Sequence, residues 1–205
     1  MEKWFNKIVL ETENVLLRPL TIEDKNDLVE ASKDGDLSEL WFTTVPTEET
    51  IEKYITAALE ENNADKGLPF VVIDKKANKI IGTTRYMNGV PEYRKLEIGH
   101  TWYAKSYQKT YVNTECKFLL LTHAFEVLKA IAVEFRTNWY NLPSRNAIAR
   151  LGAKQDGVLR NNMISSNGLV RDTVVFSIIE NEWPTCKVAL TYKIDQLWKR
   201  NNLGN

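Results

Sequence analysis

The spacing of apolar and polar positions changes several times along the chain, and each change marks an element. Val15-Leu16-Leu17-Arg18-Pro19-Leu20 reads as a short strand that the proline stops. Thr21-Ile22-Glu23-Asp24 has the form of a capping box, and Leu28, Val29 and Ala31 give the helix after it an apolar face. A second helix is expected with Thr47 as its cap. Ile51, Tyr54, Ile55, Ala58 and Leu59 recur there at helical spacing, and Asn62, Asn63 and Asp65 end the run. Three strand patterns follow. Residues 69–73 and 79–86 form a hairpin across a polar turn at 74–78, and residues 96–103 alternate in character.

The period then lengthens again. Thr114 to Lys129 predicts a long helix carrying Phe118, Leu119, Leu121, Phe125 and Leu128, and Ile131 to Thr137 predicts a strand. Pro143 opens a short helix, Ser144 to Leu151, which Gly152 ends. Strands are expected around 157–163 and 173–179. A last helix begins near Pro184, with Val188, Leu190, Ile194, Leu197 and Trp198 as its apolar positions. This is a mixed α/β (α+β) pattern with a strand-helix-strand unit at its centre. The expected organisation is one domain over residues 1–184 and a helical extension over 185–205.

Composition narrows the classes. Of 205 residues, 43% are hydrophobic and 26% charged, which excludes a disordered chain. Lys and Arg total 27, as do Asp and Glu, so there is no global basic field and a nucleic-acid partner is not expected. Two cysteines and two histidines offer no metal spacing and no disulfide framework. No stretch reaches the ~18 apolar residues of a membrane span, and the first residues lack a signal-peptide run. A cytoplasmic protein without a membrane partner is the expectation.

Chemistry concentrates between Glu97 and Leu121. A strand ends near Tyr103, and a polar loop, Lys105 to Asn113, leads into a helix at Thr114. A helix N-terminus offers unpaired amides and the positive end of the dipole, a seat for phosphate. Many such joints bind nothing, so the spacing alone leaves both readings open. Cys116, near the helix start, has no partner in sequence and reads as packing, and His123 reads as structural.

Several runs together resemble a known family. They are Glu97-Ile98-Gly99-His100-Thr101-Trp102, then Gln108 to Thr114-Glu115, then Asn141-Leu142-Pro143-Ser144 through Leu151-Gly152-Ala153. Val15 to Pro19, Val158-Leu159-Arg160 and Arg171 to Ser177 add to them. In order and spacing they resemble the GCN5-related N-acetyltransferases, in the branch of the ribosomal-protein N-terminal acetyltransferases, over roughly residues 8 to 184. The resemblance implies a mostly antiparallel sheet with two splayed central strands and flanking helices. It implies acetyl-CoA as co-substrate, no metal, a primary amine as acceptor (a protein N-terminus or a small-molecule amine), and a homodimer. A non-catalytic acyl-CoA-binding module is the alternative.

The resemblance also implies roles for residues. Gln108, Lys109, Thr110, Tyr111, Val112, Asn113 and Thr114 would hold the pyrophosphate, with the backbone of Ile98, His100 and Trp102 along the pantetheine arm and Asn141 nearby. The family's loop has glycine where this chain has Tyr111, which requires the Tyr111 ring to point away from the cofactor. A tyrosine that protonates the departing thiolate in many members is replaced by Ile148. Ser144 takes that place here, or else is a plain helix cap. Glu97 ranks first as general base, with His100 expected on the opposite face of the same strand. Trp41, Phe42 and Tyr93 read either as acceptor-pocket or as core or interface residues.

Overall fold

A computed structural model of the chain describes residues 3–165 and 168–203. The outer ends of the two expected units, residues 1–2 and 204–205, lie outside the described residues.

The strands are β1 (Leu10–Glu11), β2 (Val15–Pro19), β3 (Leu68–Asp74), β4 (Lys79–Val90), β5 (Lys95–Tyr103), β6 (Ala132–Asn138), β7 (Lys154–Ile164) and β8 (Val170–Ile179). They form one sheet in the order β1-β2-β3-β4-β5-β6-β8-β7. Every neighbouring pair is antiparallel except β5 and β6. Those two are joined by a crossover through α3 (Val112–Thr122), whose last turn continues as a π-helical segment, His123–Val127. The remaining helices are α1 (Lys25–Lys33), α2 (Ile51–Asn63), α4 (Leu142–Ala149) and α5 (Trp183–Leu203). The single α/β domain with a mixed, mostly antiparallel sheet matches the expected class. The helix expected over 114–129 starts two residues earlier and leaves α-geometry at His123.

Strand alternation sends side chains to two cores. Ile81, Leu96, Ile98, Val133, Phe135 and Ile178 point to one face, under Leu120 and Leu121 of α3 and Leu190 of α5. Val71, Ile80 and Trp102 point to the other, under Leu28 of α1 and Ile51, Ile55 and Ala58 of α2. The sheet is therefore the middle of three layers.

Local chemistry explains the helix starts. Asp24 accepts from the Thr21 amide at 2.8 Å, as the capping pattern predicts, and also takes both Arg18 guanidinium nitrogens at 2.9 and 2.6 Å. This ties β2 to the entry of α1. Thr47 does not cap α2. Its amide donates to Thr50 Oγ1 at 2.8 Å, and Thr50 directly precedes the helix.

Glu115, fully buried in the first turn of α3, joins three distant segments. It accepts from Thr12 Oγ1, from Asn14 Nδ2 at 2.8 Å, and from Trp198 Nε1 on α5 at 2.8 Å. The β1–β2 turn and the last helix are thereby fastened to α3. Replacing Glu115 with alanine leaves these donors unpaired, at about 1–3 kcal/mol for each that stays buried. We expect Glu115→Ala to lose at least ~2 kcal/mol in urea unfolding. An unchanged midpoint would show that the three donors find water.

Candidate active site

The ladder between β5 and β6 is short. Lys95, Leu96 and Glu97 face Ala132, Val133 and Glu134, and no further pairs form. Ile98–Tyr103 and residues 135–138 diverge, leaving the inner edge of each without a backbone neighbour. Backbone donors and acceptors need partners, so this gap is a place for water or a ligand.

β5 is also irregular. Arg85 faces Gly99 and Thr83 faces Trp102, so one residue of β5 is extra, a β-bulge. His100 takes φ 44°, in the left-handed region. The bulge breaks simple alternation. Glu97 borders the Gly99 position, and the His100 ring lies 6.0 Å from Tyr54 of α2. Glu97 and His100 therefore share the α1–α2 face, which corrects the expectation that they face opposite ways.

Their environments differ. Burial raises the Glu97 carboxyl above its ordinary value, only partly offset by Asn88 Nδ2 at 2.9 Å and the Arg136 guanidinium at 3.6 Å. Glu134, across the ladder, is pushed up by burial too, but Lys95 at 2.9 Å and Arg136 at 3.0 Å outweigh it and hold Glu134 below its usual range. Crowding around the ring, and then Arg85, lower His100 to about 4, although the residue stands exposed at the surface. The imidazole is neutral at neutral pH and a weak base.

The loop after β5 is held from outside. Lys105 N donates to Asp34 O, and Ser106 Oγ and N donate to Asp34 Oδ2 at 2.6 and 3.2 Å. Gly35, at φ 89°, lets the end of α1 come close. A Cβ there would sit 2.2 Å from Lys105 Cβ. Gln108 donates to Tyr103 O at 3.0 Å, and Lys109 adopts φ 62°. Thr110 donates to Tyr107 O at 2.7 Å and accepts from the Val112 amide at 3.3 Å. Val112 itself is buried, and Asn113 Oδ1 accepts from Tyr103 at 3.3 Å. The Tyr111 ring packs on the core, and its hydroxyl donates to Asp74 Oδ1 on β3 at 3.3 Å. Burial and then Asp74 raise that phenol to about 12.

A cavity of about 270 Å³ opens beside this loop. Lys109, Thr110, Asn113 and Thr114 form one wall, Arg150 of the α4 end another, and Lys193 and Gln196 of α5 a third. Three cations thus border the start of α3. Spacing along the sequence shows neither Arg150 nor Lys193, because α4 and α5 reach this place only through the tertiary fold.

At the start of α4 the roles differ from one reading made of the sequence. Asn141 Oδ1 accepts from the Ser144 amide at 3.1 Å, so Asn141 is the cap. Ser144, in the first turn and half-buried, makes no side-chain hydrogen bond among the described residues. The reading of Ser144 as a cap is thereby removed. Nearby, Tyr140 lies 5.6 Å from Trp41, which in turn contacts Phe42 at 5.7 Å. Tyr93 sits apart, 69% exposed in the turn just before β5.

Two buried side-chain donors on the strands that border the gap have no partner among the described residues, Trp102 Nε1 on β5 and Asn138 Nδ2 on β6. Asn138 is only 2% exposed, and strand alternation places it on the face of Glu134. Each such donor costs about 1–3 kcal/mol unless something pairs with it. Asn138 was not singled out in the sequence, where it is one of several asparagines near a strand end. Cys116 is wholly buried, and burial raises its thiol to about 12, in keeping with a packing role. Among the described residues, no group of three or more His, Cys, Asp or Glu is placed to hold a metal, and no helix is long and apolar enough to cross a membrane.

The family model of the acetyltransferase (GNAT) domain matches residues 14–154, more than half of the chain. Among solved structures, a GCN5-related N-acetyltransferase from Brucella melitensis is 30% identical, over 92% of this chain and 86% of its own, with a TM-score of 0.83. Mycobacterium smegmatis RimJ, in complex with CoA-disulfide, is 21% identical over 94% of this chain and 97% of its own, with a TM-score of 0.76. The ribosomal-protein-S5-alanine acetyltransferase of Vibrio fischeri is 19% identical over 86% and 98%, with a TM-score of 0.70. At such identities the last two share the fold. Among curated proteins there is no match. The protein belongs to the GNAT acetyltransferase family, as the sequence resemblance implies, and its general chemistry is acetyl transfer.

The Glu97 environment makes a testable statement about pH. A carboxyl raised by folding stabilises the folded state while protonated, and that contribution is lost as pH climbs from the ordinary carboxylate value of 4.5 through the raised one. Glu97→Gln lacks this loss. The melting temperature of the unmodified protein minus that of Glu97→Gln should therefore fall between pH ~4 and ~8. A difference that rises over this range would mean that Arg136 outweighs burial.

Proposed function

We propose that this protein transfers the acetyl group of acetyl-CoA to a primary amine, either a protein N-terminus or a small-molecule amine, by direct attack of the amine on the thioester. The observation that carries this reading is the divergence of β5 and β6 after three paired residues, next to a cation-lined cavity at the start of α3. The chemistry of the lining suits the co-substrate. Lys109, Arg150 and Lys193 answer to its phosphates, together with the hydroxyls and first-turn amides of Thr110 to Thr114. The inner edge of Ile98–Trp102 offers backbone partners to the amides of the pantetheine arm. The unpaired Trp102 and Asn138 donors suit carbonyl oxygens in the gap. The turn of Tyr111 toward Asp74 supports a phosphate seat free of its ring.

When bound, acetyl-CoA supplies the activated acetyl group, and the chain's own residues handle two protons. Glu97 takes the proton of the attacking amine, directly or through water. Its raised affinity for protons suits a general base. Ser144 gives its hydroxyl proton to the departing thiolate and recovers one from water. Its place in the first turn of α4 suits this role, because the positive end of a helix favours a developing negative charge near it. Trp41, Phe42 and Tyr140 form one aromatic cluster that would shape the acceptor site.

Because Asn141 performs the capping, Ser144→Ala separates chemistry from stability. Turnover with acetyl-CoA, assayed by thiol release against N-terminal peptides, polyamines, amino acids and aminoglycosides, should fall about 10²-fold. The acetyl-CoA KM and the melting temperature should stay close to those of the unmodified protein. Full turnover in Ser144→Ala, with the chemical step limiting, would remove Ser144 from the reaction. Failure of the unmodified protein to bind CoA by calorimetry would overturn the reading as a whole.

A further inference from the structure

Lys117 is a lysine in the wrong place for solvent. It lies in α3 against the sheet, 5% exposed, and forms no ion pair among the described residues. Its Nζ reaches only two neutral hydroxyls, Thr101 Oγ1 at 2.6 Å and Thr84 Oγ1 at 3.0 Å. Removing an ammonium from water without a counter-charge costs several kcal/mol. Burial accordingly lowers Lys117 to about 8, against a smaller opposing effect of Cys116. For packing alone, leucine or methionine would serve this position without that cost.

The two hydroxyls show what the amine does. They lie 2.8 Å apart, and Thr101 Oγ1 is also 3.3 Å from Gly99 O. A threonine hydroxyl has one hydrogen to give. With Nζ donating to Thr101 Oγ1, that hydrogen is free for Gly99 O. Without Nζ, Thr101 can turn its one hydrogen to Thr84 Oγ1 instead, and in that arrangement Gly99 O loses its donor. On the opposite face of the sheet, His100 O accepts from Thr83 Oγ1 at 3.2 Å and Tyr54 OH at 3.4 Å. The two carbonyls of the β5 bulge are thus fixed from opposite sides, one by the α2 layer and one through Lys117.

We propose that Lys117 is a positioning residue for acetyl transfer: acting through Thr101, it fixes the Gly99–His100 bulge, and with it the free edge of β5 on which the thioester end of acetyl-CoA is held. This rests on the acetyl-transfer reading above. Lys117 touches neither substrate in this account, and its effect is confined to the acyl end of the site. The phosphate cavity, bordered by Lys109, Arg150 and Lys193, is separate from it.

Lys117→Met keeps the apolar stem and removes the nitrogen, and Thr101→Val removes the hydroxyl at constant shape. Each should lower kcat/KM for acetyl-CoA at least about tenfold, within the ~10²-fold that misplaced reacting groups cost. Calorimetric affinity for CoA, which lacks the acetyl group, should change less than about threefold, and the melting temperature of Lys117→Met should hold or rise. The double variant should lose no more than the single ones, because both interrupt one connection. A fall in melting temperature with kinetic constants unchanged per folded molecule would make Lys117 merely structural and overturn the proposal. Additive losses in the double variant would also overturn it. If Lys117→Met does not fold, full kcat/KM in Thr101→Val overturns it alone. Absence of CoA binding by the unmodified protein would instead overturn the acetyl-transfer reading, and this role with it.

Discussion

Strands β5 and β6 share backbone hydrogen bonds over three residues and then separate, and the rest of the molecule is arranged around that separation. Parallel neighbours need a crossover, which α3 supplies here, so the helix begins beyond the open end of β5 and returns along the sheet to the closed end. Its N-terminus therefore stands at the mouth of the gap. The gap would normally be a fault in a sheet, because it exposes backbone groups that have no neighbour. Here it is built in and supported.

The supports come from every layer. Glu115 fastens α3 to the β1–β2 turn and to α5, which brings Lys193 to the cavity. Asp34 and Gly35 hold the loop after β5 against the end of α1. Arg136 sits between Glu97 and Glu134 at the point where the strands part. Two carboxylates directly opposite each other would repel, and unequal access to cations sets their proton affinities apart. Glu97 keeps the higher affinity for protons.

Much of this was legible along the chain, because the hydrophobic period reports burial directly. The β3–β4 hairpin, the alternation of β5, the α3 and α4 patterns and the Thr21–Asp24 box all correspond to observed elements. What escaped were features decided by tertiary contact. The bulge at His100 carries no glycine at the left-handed position, so alternation put His100 on the wrong face. Ser144 and Asn141 both suit a helix start, and only the hydrogen bond between them tells which one caps. Nothing along the chain marks Lys117, because its surroundings come from Thr84 and Thr101 on two strands. Tyr111, where the family's loop has glycine, turns its ring to Asp74, 37 residues away in sequence.

The central claim is that the unpaired edge of β5, together with the start of α3, holds acetyl-CoA. Amide hydrogen exchange with and without acetyl-CoA tests it at residue level. Slowed exchange confined to residues 98–102 and 109–114, with β1–β4 unaffected, is the predicted result. Exchange unchanged in both segments at saturating acetyl-CoA, or slowed at some other surface, would contradict the account.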